Sequence, residues 1–327
     1  MFLSAPVYMI LPGRFMSKLK FVVSLTNNDN DYQIEQAKTA ESAARHLGIE
    51  VEIVHAGNEA IVQSQQLLKI IQSPASARPS GIVVEPVGGT AMPQVAKAAA
   101  AAGIGWVLLN REDEYLTELR RSYKVPTFCI TSDHEEIGRA QGKQLRALLP
   151  KGGLVLYIQG PAESLAAKQR TSGVQDGLPP GIELKAIRGQ WTEASAYKAV
   201  AAWLRLSTSR QSQMDVVAAQ DDSMAIGAKK AFQDLPPAER DRWMSLPFLG
   251  VDGVPDTGQA WVKNGLLTAT IIVPANAGQA VEKLAQAIQT GSMPPQKILI
   301  APVSFPAVEK LTPVRTQKNQ SASSAGR

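Results

Sequence analysis

Short apolar, β-branched runs punctuate the chain, and between them lie longer stretches in which apolar residues recur every three or four positions. The first pattern predicts strands buried on both faces and the second amphipathic helices. Their alternation predicts parallel sheets with helices packed against them. The expected strands are Lys20–Leu25, Val51–His55, Gly81–Glu85, Gly105–Leu109, Thr127–Thr131, Gly153–Gln159, Glu183–Arg188, Met214–Ala219, Pro247–Val251, Leu267–Val273 and Lys297–Val303. Eleven strands crowd a single open twisted sheet. The expectation is therefore an α/β chain with two parallel sheets of five or six strands, divided near Thr131–Asp133 after the charged stretch REDEYLTELRRSYKVP.

The helical stretches carry their own punctuation. YQIEQAKTAESAARHLG stops at Gly48, and TAMPQVAKAAAAAG starts with Thr90 as a cap. LPPAERDRWMSLP reads as a surface insertion with a short helix, and TPVRTQKNQSASSAGR as a disordered polar tail.

A hydrophobic share of 44% with 19% charged residues is the composition of a folded globular chain. The net charge of +5 sits at the ends. Arg14, Lys18, Lys20, Lys310, Arg315, Lys318 and Arg327 lie there against Glu309 alone, so the body between is close to neutral and shows no basic stripe for nucleic acid. Cys129, the single cysteine, forms no disulfide within the chain, and His46, His55 and His134 lack metal-ligand spacing. No run approaches the length of a membrane span. Phe2–Leu11 is apolar, but no Lys or Arg precedes it and Gly13-Arg14-Phe15 is a poor cleavage site; residues 1–16 are expected to lie outside the fold.

Ligands of open α/β sheets bind beyond the carboxyl ends of the strands. The residues at those ends are TNNDNDYQ, Glu85-Pro86, Asn110-Arg111, GPAESLAAKQR, Gly189-Gln190-Trp191-Thr192, Gln220-Asp221-Asp222 and Asp252-Gly253. One such polar tip is ordinary turn chemistry. Seven along successive strand ends make a site. Carboxylates and arginines hydrogen-bond neighbouring hydroxyls and aromatic rings cover the C–H face of a ring, so the set suits a hydroxyl-rich ligand. No dinucleotide fingerprint, phosphate loop, G-x-S-x-G or H-E-x-x-H is present. No catalytic residue, metal ligand or cofactor is expected.

The segments VVSLTNNDNDYQ, GIVVEPVGG, WVLLNRED, AAKQRTSGV, VVAAQDDSMAIGA and LGVDGVPDTG, in this order and spacing, resemble the sugar-binding type I periplasmic binding proteins. The ribose- and galactose-binding proteins are examples, and the cores of lac-repressor-type regulators share the fold. The resemblance runs from about Lys18 to Val303. It implies two Rossmann-like lobes joined by three crossings, closing on a ligand by a hinge. Lobe 1 is expected over 17–131 plus 274–297, and lobe 2 over 132–273 plus 298–314, with 315–327 outside. The implied ligand residues are Asp31, Tyr32, Glu85, Asn110, Arg111, Arg170, Trp191, Asp221 and Asp252. Asp222 is left to cap the following helix. A polar hinge residue expected near Val273 is missing from TIIVPANAG.

The implied function is capture of a small sugar or polyol and delivery to an ABC permease or receptor by a periplasmic monomer, with neither nucleic acid nor membrane insertion involved. The candidate acids outnumber the two arginines, which disfavours anions and admits a neutral sugar, a polyol or a cationic amino sugar. A cytosolic sensor without a DNA-binding module is the alternative; an enzyme acting on sugars ranks third.

Overall fold

The computed structural model describes residues 19–87, 92–210 and 212–314. The expectations for residues 1–16, Thr90 and residues 315–327 fall outside the described residues. Among the described residues, twelve strands run in chain order as β1 (Lys20–Leu25), β2 (Glu50–His55), β3 (Gly81–Val84), β4 (Gly105–Leu109), β5 (Thr127–Ser132), β6 (Gly153–Gln159), β7 (Ile182–Arg188), β8 (Val216–Ala219), β9 (Phe248–Leu249), β10 (Thr270–Ile272), β11 (Lys297–Ile300) and β12 (Val303–Phe305). The helices between them are α1 (Asp31–Leu47), α2 (Ala60–Ile71), α3 (Pro93–Ala101), α4 (Tyr115–Ser122), α5 (His134–Leu148), α6 (Leu165–Gly177), α7 (Glu193–Leu204), α8 (Ser207–Arg210), α9 (Asp222–Gln233), α10 (Pro237–Met244), α11 (Ala260–Lys263) and α12 (Ala277–Thr290).

The first sheet has the order β2-β1-β3-β4-β5-β11, parallel throughout. Its side chains alternate between two cores. Phe21, Val23 and Leu25 point to the face covered by α1 and α12, while Val22, with Ile82 and Leu108, points to the face covered by α2 and α3. Burial on both faces is why these strands read as unbroken apolar runs. The second sheet runs β7-β6-β8-β9, also parallel. Single parallel bridges at Leu249–Ala269 and Asp252–Ile272 carry it on to β10, which pairs antiparallel with β12.

The chain passes between the sheets three times: from β5 to α5, from β10 to α12, and from β11 to β12. The expected single strand Lys297–Val303 is two. Lys297–Ile300 pairs with Cys129–Ser132 in the first sheet, so the third passage falls at Ala301–Pro302 and not after residue 297. Pro302 lacks the N–H that a continued ladder would need. The LPPAERDRWMSLP segment is also more than a surface insertion. Its helix α10 buries Trp243, whose ring stacks on Phe232 at 4.5 Å and meets Trp203 edge-on at 5.6 Å.

The α5–α6 contact positions the second lobe's arginine. A Cβ on Gly173 would lie 2.0 Å from the Glu135 carbonyl oxygen, and one on Gly138 would lie 2.2 Å from that of Arg170. Only glycine lets the two backbones approach this closely. Gly173→Ala is expected to cost roughly 1–2 kcal/mol through overpacking. Urea unfolding, read as a lower midpoint with an unchanged slope, checks it.

Candidate functional site

The strand ends of both sheets face one cavity of about 250 Å³. The first lobe contributes Asn27, Asn30, Tyr32, Asn58, Glu85, Asn110 and Arg111; the second contributes Glu163, Arg170, Gln190, Trp191, Asp221 and Asp252. His134 lines it at the first passage between sheets and Val273 at the second. At ~30 Å³ per water, the volume is that of about eight waters, room for one small ring.

Glu85 follows β3 and is fixed from three sides. Its Oε1 accepts from Asn110 Nδ2 at 3.1 Å, and Oε2 accepts from Gln33 Nε2 at 3.0 Å and from Gln36 Nε2 at 3.5 Å. Burial pushes its pKa up, and the three amides and, less strongly, the charge of Arg170 pull it partly back. Asn110 in turn accepts through Oδ1 from Asn276 Nδ2 at 2.8 Å. Tyr32 is buried with its hydroxyl 3.4 Å from both Asn110 Oδ1 and the Pro274 carbonyl oxygen.

In the second lobe, Arg170 reaches from α6 to the ends of β8 and β9. One guanidinium nitrogen donates to the Gln220 carbonyl, the other stands 3.4 Å from Asp252 Oδ1, and the group lies 5.5 Å from the centre of the Trp191 ring. That ring rests on Gly160, where any Cβ would collide with it at 2.3 Å. The Asp221 and Asp252 carboxyls are close enough to share a hydrogen bond. Burial raises both pKa values against the pull of Arg170, Asp221 to about 6 and Asp252 well above the usual range. His134 is driven the other way. Burial first and Arg170 second lower its pKa to about 3, so its ring is neutral at physiological pH.

Backbone strain gathers at the same place. Among the described residues, the non-glycine residues with positive φ are Asn58, Asn110, Trp191 and Asp252, and all four line the cavity. Asn tolerates this region, but Trp191 at φ 60° and Asp252 at φ 107° do not adopt it freely, at a cost of about 1–3 kcal/mol each. The surrounding contacts hold them; the Trp191 carbonyl, for example, accepts from Asn30 Nδ2 at 2.6 Å.

Eight of the nine expected ligand residues line the cavity, and Asp31 does not. It opens α1 with its Oδ2 accepting from Ser223 Oγ at 3.1 Å, a contact between lobes. The capping role expected of Asp222 falls to Asp221. Asp221 is itself the cap of α9, accepting from the Met224 N–H at 2.9 Å, while its other oxygen accepts from Asn30 Nδ2 at 3.1 Å. Asp222 points away from the cavity into a cradle of backbone, accepting from the Gly253 N–H at 2.7 Å, where a Cβ on Gly250 or Gly258 would meet its carboxylate at 2.0 Å. Asp221 faces the cavity and Asp222 anchors the loop that carries Asp252.

The polar residue expected near Val273 is present three positions later. Asn276 is fully buried, donates to Asn110 Oδ1 and the Ile130 carbonyl, and accepts from Gln36 Nε2 at 2.8 Å. Asn30, Asn58 and His134 also line the cavity, although little in their local sequence marks them as ligand residues. Asn58 follows β2 in HAGNE, and its place at a strand end was its available signal. Among the described residues no cluster of His, Cys, Asp and Glu could hold a metal ion, and no helix is long and apolar enough to cross a membrane.

The model of a periplasmic binding protein domain matches residues 21–309. The chain belongs to the periplasmic binding protein family. Members of this family are solute-binding proteins. A putative rhizopine-binding protein of Rhizobium meliloti is 29% identical over 219 residues, which cover 65% of this chain and 64% of that protein, just under two thirds of its length. The D-allose-binding periplasmic protein of Escherichia coli strain K12 is 24% identical over 284 residues, covering 85% of this chain and 87% of the relative. Among solved structures, a galactofuranose binding protein superposes with a TM-score of 0.75 at 22% identity, covering 90% of this chain and 98% of that one. The fold is that of the type I periplasmic binding proteins.

Proposed function

We propose that the protein captures one small sugar or sugar-like polyol between its lobes and delivers it unchanged to an ABC permease, acting in the periplasm as a monomer. One observation carries this reading: a cavity of single-ring size whose polar wall is divided between two sheets, so that a ligand gripped by both lobes holds them together. Ring hydroxyls are bridged by Glu85, Asn110 and Arg111 on the first lobe and by Arg170, Asp221 and Asp252 on the second, with Tyr32 and Trp191 against the ring faces. Relatives named for allose and rhizopine, and a structural neighbour named for galactofuranose, support the ligand class.

Isothermal titration calorimetry against a panel of monosaccharides and cyclic polyols tests the site. A ligand of the panel is expected to lose about 10–100-fold in affinity with either Arg111→Ala or Asp252→Ala, the loss of one charge-assisted hydrogen bond each. A ligand indifferent to both substitutions binds elsewhere and refutes the assignment. Fractionation of the native host, with the protein recovered among periplasmic proteins, checks the location.

A further inference from the structure

The charged groups of the cavity wall do not balance. Glu85, Glu163, Asp221 and Asp252 line it against Arg111 and Arg170. Both guanidiniums already face an acid, Arg111 Nε at 3.4 Å from Asp113 and Arg170 at 3.4 Å from Asp252. His134 adds no charge because its ring is neutral. Among the described residues no lysine lines the cavity.

Glu85 forms no ion pair, and of the two guanidiniums only Arg170 acts on it, more weakly than its amide partners do. Its three hydrogen-bond partners are amides, all donating, an arrangement that fits the ionised form and neutralises none of its charge. A carboxylate offers about four acceptor directions, so one remains for a ligand. A sugar hydroxyl would fill that direction and leave the charge uncompensated in a site from which closure removes water. An ammonium group fills it and supplies the missing charge, the condition under which a buried ion ceases to be a penalty. A carboxylate or phosphate on the ligand would deepen the imbalance instead.

Building on the capture of a polyol proposed above, we propose that the preferred ligand is an aminated one, an amino sugar or aminocyclitol, whose ammonium is received by Glu85 while its hydroxyls engage Arg111 and the Arg170–Asp252 pair. Glu163, exposed at the cavity rim, is not part of this contact.

Calorimetry on the wild-type protein with matched pairs tests the proposal: D-glucosamine against D-glucose, D-galactosamine against D-galactose, and an inosamine against myo-inositol. N-acetylglucosamine and N-acetylgalactosamine supply uncharged amide controls for the first two pairs. In at least one pair the amine is expected to bind about tenfold tighter or more than its neutral partner. N-acetylation is expected to abolish the gain in a hexosamine pair that shows it. Glu85→Gln is expected to abolish the advantage of the amine, while Glu282→Gln, on the exposed face of α12 away from the cavity, leaves it in place. Equal or tighter binding of the neutral member in every pair that binds overturns the ammonium proposal and leaves polyol capture standing. Absence of binding by every member overturns both. An amine preference that survives in a folded Glu85→Gln protein overturns the assignment to Glu85.

Discussion

Asp221→Asn is expected to stabilise the ligand-free protein by about 2 kcal/mol at pH 7.5 and by almost nothing at pH 4, while weakening ligand binding. The direction follows from proton linkage. Burial raises the folded-state pKa of Asp221 to about 6 from an ordinary 3.8. Between those values the folded protein holds a proton that the unfolded chain has released, so stability falls as pH rises through the interval, and the whole penalty is present above pH 6. A displacement of that size corresponds to about 3 kcal/mol at most. Asparagine removes the charge and can still cap α9 through its oxygen. It forfeits the bond from Asn30 Nδ2, worth about 1 kcal/mol, which leaves the net figure. Urea unfolding of both proteins from pH 4 to pH 8 reads the divergence. Parallel curves would show that Asp221 carries no ionisation penalty. The expected loss of affinity, about tenfold or more, marks the penalty as one retained for binding.

Arg170→Met is expected to have the opposite and larger effect, a loss of about 3–5 kcal/mol at pH 7. The guanidinium is the cation that draws down the raised pKa values of both Asp221 and Asp252, and Asp222 adds a third buried carboxylate nearby. Methionine keeps most of the volume and removes the charge, the bond to the Gln220 carbonyl and the contact with Trp191. The loss shrinks towards pH 4 as the carboxyls take up protons. It is also smaller than additive when combined with Asp252→Asn, because each substitution removes what the other leaves unpaired. An independent readout comes from His134, held near pKa 3 by burial and then by Arg170. Its imidazole is expected to titrate at higher pH in Arg170→Met, visible in NMR spectra. Unchanged stability together with an unmoved His134 would contradict this account.

The pattern of apolar runs made much of the scaffold legible. Lys20–Leu25, Gly105–Leu109 and Gly153–Gln159 appear as read, since these strands are covered on both faces or nearly so and carry no alternation to misread. The last run, Lys297–Val303, reads as one strand because all its local signals are strand-like. Its division depends on which sheet each half reaches, a contact with Cys129–Ser132 far away in sequence. The short helix within LPPAERDRWMSLP is legible in the sequence, but not that Trp243 would find Phe232 and Trp203.

By itself, the sequence determined the alternation of strands and helices, the near-neutral body, and the strand ends at which polar residues collect. These depend on residue type and spacing within a few positions. Only the tertiary structure decided that Asp221 and not Asp222 caps α9, that Asp31 leaves the cavity for Ser223, and that Asn276 stands behind Asn110. Adjacent residues share almost all local signals. Their side chains part only when packing from the other lobe and from the glycine cradle at Gly250 and Gly258 leaves room for one orientation each.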